Sequence, residues 1–232
     1  MKGILVDVYF SEALFKTHYT KGFRQTYPIP LPTTVAGMFG AMLGIRRSVL
    51  ATEFNDCLFG AKLLKYKGLC SEKSRFIQYA SGGIKRGAVT TIIINNPCYR
   101  IAVASSNENK IISYSERMKN YIHFLPYGGQ NDFFAEEVKI IGEKDANETK
   151  LIGNYAPQDH VDKILWEKGT EFQSLPVRHR FSDNPNFYFI YNGKLLLKRE
   201  NLALDDIAVY SLAEFYLLPL TYSVQENAGG MG

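Results

Sequence analysis

Apolar and polar positions alternate from residue 3 to residue 10 and put Ile4, Val6 and Val8 on one face, which predicts a strand with one buried side. A long loop follows. It ends at Tyr27-Pro28-Ile29-Pro30-Leu31-Pro32, where alternate prolines lack amide donors and hold the chain extended. Thr33 or Thr34 then caps a helix that runs to about Ile45. Gly37, Gly40 and Gly44 recur on neighbouring turns of that helix, and glycine costs helix stability relative to alanine. The stripe therefore predicts a close backbone approach, to the sheet in preference to a phosphate. Residues 58–66 and 99–104 read as strands. Between them, residues 75–80 and 88–94 pair as a hairpin around the loop 81–87, which would carry Lys85 and Arg86 at its tip. A helix over residues 111–125, a turn over 126–131 and a strand over 136–141 follow.

The resulting order, β-α-β-β-α-β, is that of the ferredoxin-like (RRM-like) arrangement, so the expected fold class is α+β. Residues 1–145 would form this domain, with a basic hairpin inserted at about 69–97. Residues 142–150 are polar and rich in turn formers, a plausible junction. Residues 146–232 would form a small β-rich part with a flexible tail, and 171–178, 186–191 and 194–199 are its strand candidates.

A chain of 232 residues, 46% hydrophobic, can bury a substantial core. The longest apolar run, residues 34–45, is about half the roughly 20 residues of a bilayer span and is broken by glycines. Asp7 interrupts the N-terminal apolar run and no small-residue cleavage site follows, so neither a membrane span nor a secretory signal is expected. The cytoplasm is the expected compartment. Cys57, Cys70 and Cys98 lack the spacing of a zinc site or a disulfide framework, and His18, His123, His160 and His179 form no HExxH. There is no P-loop, GxSxG or GxGxxG, so no metal, no cofactor and no catalytic residue is assigned.

The net charge of +4 is distributed unevenly. Residues 13–52 contain no acid but carry Lys16, Lys21, Arg24, Arg46 and Arg47. Residues 73–107 again contain no acid and carry Lys73, Arg75, Lys85, Arg86 and Arg100, which leaves the rest of the chain net acidic. Clustered Lys and Arg release counterions from phosphates, so two such windows mixed with aromatics and glycines point to RNA.

The stretch Phe23-Arg24-Gln25-Thr26-Tyr27-Pro28-Ile29-Pro30-Leu31-Pro32-Thr33-Thr34-Val35-Ala36-Gly37-Met38-Phe39-Gly40-Ala41-Met42-Leu43-Gly44, placed directly after a first strand, resembles the N-terminal signature of the CRISPR-associated Cas five family, part of the RAMP superfamily. Leu125-Pro126-Tyr127-Gly128-Gly129-Gln130-Asn131 resembles the family's loop after the second helix, with Gly129-Gln130 in place of a basic residue. The resemblance covers most of residues 1–141. It implies a ferredoxin-like domain with a hairpin thumb, acting in antiviral defence as a subunit of a type I Cascade ribonucleoprotein. Such a subunit clasps the single-stranded 5′ handle of the guide RNA, touches the backbone and large subunits, and meets target DNA only through the complex.

Recognition of a single strand calls for cations on phosphates, amides at glycine turns and bases on aromatic side chains. The candidate RNA contacts are Lys16, His18, Lys21, Arg24, Thr33, Arg46, Arg47, Arg75, Lys85, Arg86, Tyr127, Gly128, Gly129 and Asn131. Arg24 is the expected anchor, and Tyr19, Tyr27 and Tyr127 are stacking candidates. The roles of Arg178, His179 and Arg180 stay open between RNA, partner and solvent. The alternative function is a metal-independent endoribonuclease, in which His18 beside Tyr19, with Lys16 and Lys21, would supply a base and a cation. The family's cleaving branch uses an adjacent Lys-His pair, whereas His123 here follows Ile122, so recognition without turnover is favoured. The related Cas six nucleases carry a glycine-rich loop near the C-terminus; Gly229-Gly230-Met231-Gly232 reads instead as a tail.

Overall fold

The computed structural model describes residues 1–20, 22–130, 132–164, 169, 171–177, 186–204 and 216–219. In chain order the elements are β1 (Lys2–Phe10), β2 (Glu12–Ala13), β3 (Phe15–Lys16), β4 (Phe23–Arg24), β5 (Thr26–Tyr27), α1 (Pro32–Leu43), α2 (Leu50–Glu53), β6 (Cys57–Lys65), β7 (Gly68–Ala80) and β8 (Gly83–Asn95). They continue with β9 (Cys98–Ser105), α3 (Glu108–Asn120), β10 (Ala135–Ile152), β11 (Tyr155–Pro157), β12 (Val161–Ile164), β13 (Glu171–Pro176), β14 (Asn186–Asn192), β15 (Leu195–Leu204) and β16 (Leu218–Pro219).

The main sheet has the order β12-β15-β10-β1-β9-β6-β16, and each neighbouring pair is antiparallel. Helices α1 and α3 pack on one face of it. Ile4, Val6, Val8 and Phe10 of β1 point there and meet Val35, Phe39 and Met42 of α1 and Ile111, Tyr114 and Met118 of α3 in a single core. The other face carries a small second cluster of Leu5, Ala102, Ala104 and Leu217. Next to it the Arg100 guanidinium donates through Nε and Nη2 to the Asp7 carboxylate at 2.6 and 2.9 Å. Arg100 thus leaves the pool of cations that the acid-free window had suggested for RNA.

Several elements differ from the sequence expectation. Helix α1 starts at Pro32 with Leu31 as N-cap and no side-chain cap, so Thr33 and Thr34 sit inside its first turn, where proline is favoured at the opening position. Helix α3 starts three residues earlier than expected because the Asn107 side chain accepts from the Lys110 amide, and it ends at Asn120. Residues 121–124 leave the helix instead, and the amides of His123 and Phe124 donate to the Met42 and Ala41 carbonyls at the end of α1, the latter shared with the Gly44 amide. Residues 142–150, expected as a junction, are continuous strand. A register shift between Leu5 and Val6 leaves Ile141 unopposed beside Gly142 (φ +127°), and the bulged β10 runs on to pair with β15. Buried residues from both sides of position 145, including Ile101 and Phe189, belong to one core.

Candidate nucleic-acid interface

The loop after β1 folds into four short strands rather than running free. Strands β3 and β5 pair with each other, β2 pairs antiparallel with the base of β8, and β4 pairs parallel with it, Arg24 lying opposite Thr91. The two basic windows are thereby joined, since the loop carrying Arg24 is part of the same small sheet as the hairpin β7–β8.

A groove of about 950 Å³ opens between this loop, helix α1 and the segment after α3. Phe15, Leu31, Met38, Leu50 and Pro126 give it an apolar floor, Thr33 and Thr34 contribute hydroxyls, and among the described residues Lys16 and Arg47 are its cations and no carboxylate lines it. The positive end of α1 adds to this field, because its first turn contains no acid and the amides of Thr33 and Thr34 have no intrahelical acceptor. Gly37 lines the groove and has nothing within 4 Å of where a Cβ would stand, so the helix backbone is open to an incoming group. The glycine stripe therefore splits by role. A Cβ on Gly40 would meet Leu50 at 2.6 Å, and Gly44 ends the helix at φ +69° against the His123 ring, so these two glycines do not meet the sheet that the stripe predicts.

Tyr127 and Gly129 close the groove on the far side. The amides of Gly128 and Gly129 donate to Phe133 and Tyr127 within the loop, and this corrects their expected use toward a phosphate. Their contribution is shape: a Cβ on Gly128 would stand 2.9 Å from that of Ala13, and one on Gly129 only 2.1 Å from the Leu14 carbonyl oxygen.

The hairpin is longer than expected and turns tightly at Ser81-Gly82, with Ala80 opposite Gly83. Lys85 and Arg86 therefore lie on β8, opposite Gln78 and Ile77, and not in a loop at the tip. Adjacent strand residues face opposite sides, so these two cations are separated. Arg86 shares its face with Lys73, Arg75, Ile77, Tyr79 and Ile84; Lys85 shares the other with Glu72, Ser74 and Phe76. Phe76 covers Gly87, whose Cβ would come within 2.6 Å of the ring, a cross-strand aromatic compensating for a glycine.

Of the other expected contacts, Arg46 is exposed beside the groove without lining it. Tyr27 is only 4% exposed: its ring stacks on Phe189 at 5.6 Å and its hydroxyl donates to the Pro176 carbonyl, so it is a core residue and not a stacking platform. Burial pushes its hydroxyl pKa well up. His18 places Nδ1 2.9 Å from that hydroxyl. Tyr19 reaches Gln25 at 3.4 Å. Lys21, Asn131, Arg178, His179 and Arg180 lie outside the described residues. Among the described residues no ion pair involves Lys16, Arg24, Arg46, Arg47, Arg75, Lys85 or Arg86, whereas Arg100, Lys110, Lys119 and Lys139 each hold a carboxylate. Sequence reasoning missed Phe134, half-exposed beside Tyr127; its place among apolar neighbours gave no sign that it stays outside the core.

This architecture is shared with CRISPR-associated proteins. One chain of a "CRISPR RNA-guided surveillance complex" aligns with a TM-score of 0.53 at 14% identity, covering 95% of this chain and 92% of that one. A CRISPR protein from Archaeoglobus fulgidus aligns with a TM-score of 0.51 at 16% identity, covering 94% and 100%. Residues 3–55 match the family model described as CRISPR-associated protein (Cas_Cas5), and this segment supplies β1 to β5, α1 and α2. No curated protein sequence matches the chain. No helix among the described residues is long and apolar enough to cross a membrane.

Proposed function

We propose that this chain is the subunit of a CRISPR surveillance complex that binds the single-stranded 5′ handle of the guide RNA and caps one end of the assembly in the cytoplasm, against its backbone and large subunits. The observation that carries this reading is the groove: most of its lining comes from the segment matching the Cas five family, and among the described residues it offers cations without ion pairs and a helix N-terminus with no carboxylate. The order β10-β1-β9-β6, with α1 linking β1 to β6 and α3 linking β9 to β10, supports a ferredoxin-like unit with β7–β8 as its thumb. Phosphates would take Lys16, Arg24 and Arg47, and the apolar floor would take a splayed base.

The same reading makes the protein a binder without turnover. His18, the candidate base, does not line the groove, and its Nδ1 is engaged with Tyr27. Coexpression with the partner subunits and a repeat-spacer array, followed by sequencing of the copurified RNA, tests both parts. Guide RNAs sharing one repeat-derived 5′ end should copurify, and Arg47→Ala should lower their yield. Incubation of the isolated chain with repeat RNA in EDTA should leave the RNA intact. Cleavage within the repeat that disappears in His18→Ala would instead establish the endoribonuclease.

A further inference from the structure

Between α3 and β10 the described residues expose several large apolar side chains. Tyr121 is 64%, Phe124 66%, Tyr127 47% and Phe134 57% exposed. Exposed aromatics held in place, outside the core, mark a contact surface. Tyr127 and Phe134 form its best-defined part. The two residues are bridged across the loop, and their rings meet edge to face with centroids 6.4 Å apart. Gly128 donates to Phe133 and Ala135 donates to Pro126, so the backbone under both rings is fixed before any ligand arrives.

We propose that the Tyr127–Phe134 pair is a base-stacking subsite for single-stranded nucleic acid leaving the groove; this rests on the reading of the groove as an RNA site. Tyr127 belongs to both surfaces, lining the groove beside Lys16 and Arg47 and touching Phe134 outside it. The charge pattern selects which part of a nucleotide reaches the pair. Residues 121–134 contain no Lys or Arg, and Asp132 is exposed two positions before Phe134. A phosphate is repelled there and attracted to the groove, whereas an uncharged base gains from an aromatic face of any sequence. The backbone thus stays with the cations while a base turns outward onto the rings. Because the rings already pack on each other, stacking costs less side-chain entropy than on a lone aromatic.

The test uses the full chain and two fluorescein-labelled RNA decamers with equal phosphate number, decaadenylate and a decamer of abasic ribose phosphates, with binding read by anisotropy. Wild type should prefer decaadenylate. Phe134→Ala should weaken decaadenylate roughly five- to a hundredfold, the range for one stacked base, leave the abasic decamer within about twofold, and be rescued by Phe134→Trp. Arg47→Ala should weaken both decamers. If Phe134→Ala binds decaadenylate like wild type while Arg47→Ala weakens it, the subsite is wrong and the groove stands. If Arg47→Ala has no effect on either decamer, the groove reading itself fails. Equal loss of both decamers in Phe134→Ala, or unchanged RNA binding with loss of a partner subunit on gel filtration, would also overturn the subsite, in the latter case in favour of a protein contact.

Discussion

Gly129 shows how one position without a side chain can set the shape of a site. Its φ of +91° lies where L-residues are strained, and a Cβ would overlap the Leu14 carbonyl oxygen at 2.1 Å. Gly129→Ala should therefore destabilise the protein by at least about 1 to 3 kcal/mol, from strain and forced displacement of the strand beside Lys16, as measured by urea unfolding. Asp56, between α2 and β6, carries a different kind of local effect. Burial pushes its carboxyl up, but hydrogen bonds from Lys110 and Ser105 outweigh this and hold it below the ordinary carboxylate range. A lowered folded pKa contributes stability that is complete above the unfolded value and is lost as pH falls through the folded one. Asp56→Asn should accordingly cost more stability at pH 7 than at pH 2 to 3, by less than about 1 kcal/mol because the pair is partly exposed. Equal loss at both pH values, read from unfolding midpoints, would show that the charge is unimportant there.

At the scale of elements, the hairpin is the clearest case of partial legibility. That an insertion between β6 and β9 pairs with itself is readable from its glycines and alternation. Its register is not, because three glycines near the turn allow several pairings and no buried face selects among them. The observed register puts Ser81-Gly82 in the turn and separates Lys85 from Arg86. At 13 residues per strand the ribbon spans about 40 Å, and its base is pinned by β2 and β4. The face with Lys73, Arg75 and Arg86 ends in the exposed side chains of Ile77, Tyr79 and Ile84. Arg75→Glu with Arg86→Glu should thus weaken binding of a long single strand at least about tenfold, or 1.4 kcal/mol, with Lys85→Glu within about threefold. Filter binding on guide-length RNA distinguishes the two, and equal effects would mean that both faces meet RNA. The long β10 was illegible for another reason: a strand solvated on one side and bulged at Gly142 has the composition of a turn.

For the whole molecule, cations far apart in sequence act together. Lys16, Arg24 and Arg47 lie at the groove and beside the hairpin base, and none of them forms an ion pair among the described residues. If these three neutralise phosphates of a single strand, log affinity should fall against log salt with a slope of about −2, from roughly −0.7 per phosphate. Arg24→Ala should reduce that slope by about one such increment, and Arg100→Ala should not change it, since Arg100 is spent on Asp7. A slope near zero would remove the electrostatic basis of the site. The Arg100 variant should lose stability instead, up to about 3 kcal/mol because the buried Asp7 carboxylate loses a partly buried partner, in urea unfolding.

The sequence by itself determined the longer strands and helices of residues 1–141 but not β2 to β5 or α2, because the periods of the apolar pattern at β1, α1, β6, β9 and α3 are local and strong. It also determined which windows carry unopposed charge and, through the residues from Phe23 to Gly44, the Cas five resemblance. Tertiary structure alone decided what each candidate can do. Tyr27 is taken by Phe189 and Pro176, Arg100 by Asp7, and the Gly128 and Gly129 amides by their own loop, while Phe134 is left outside the core. The reason is that alternation records which face of an element is buried but not which distant group will lie opposite it. Hydrogen bonds and ion pairs between residues such as Asp7 and Arg100 exist only after the strands have found their register.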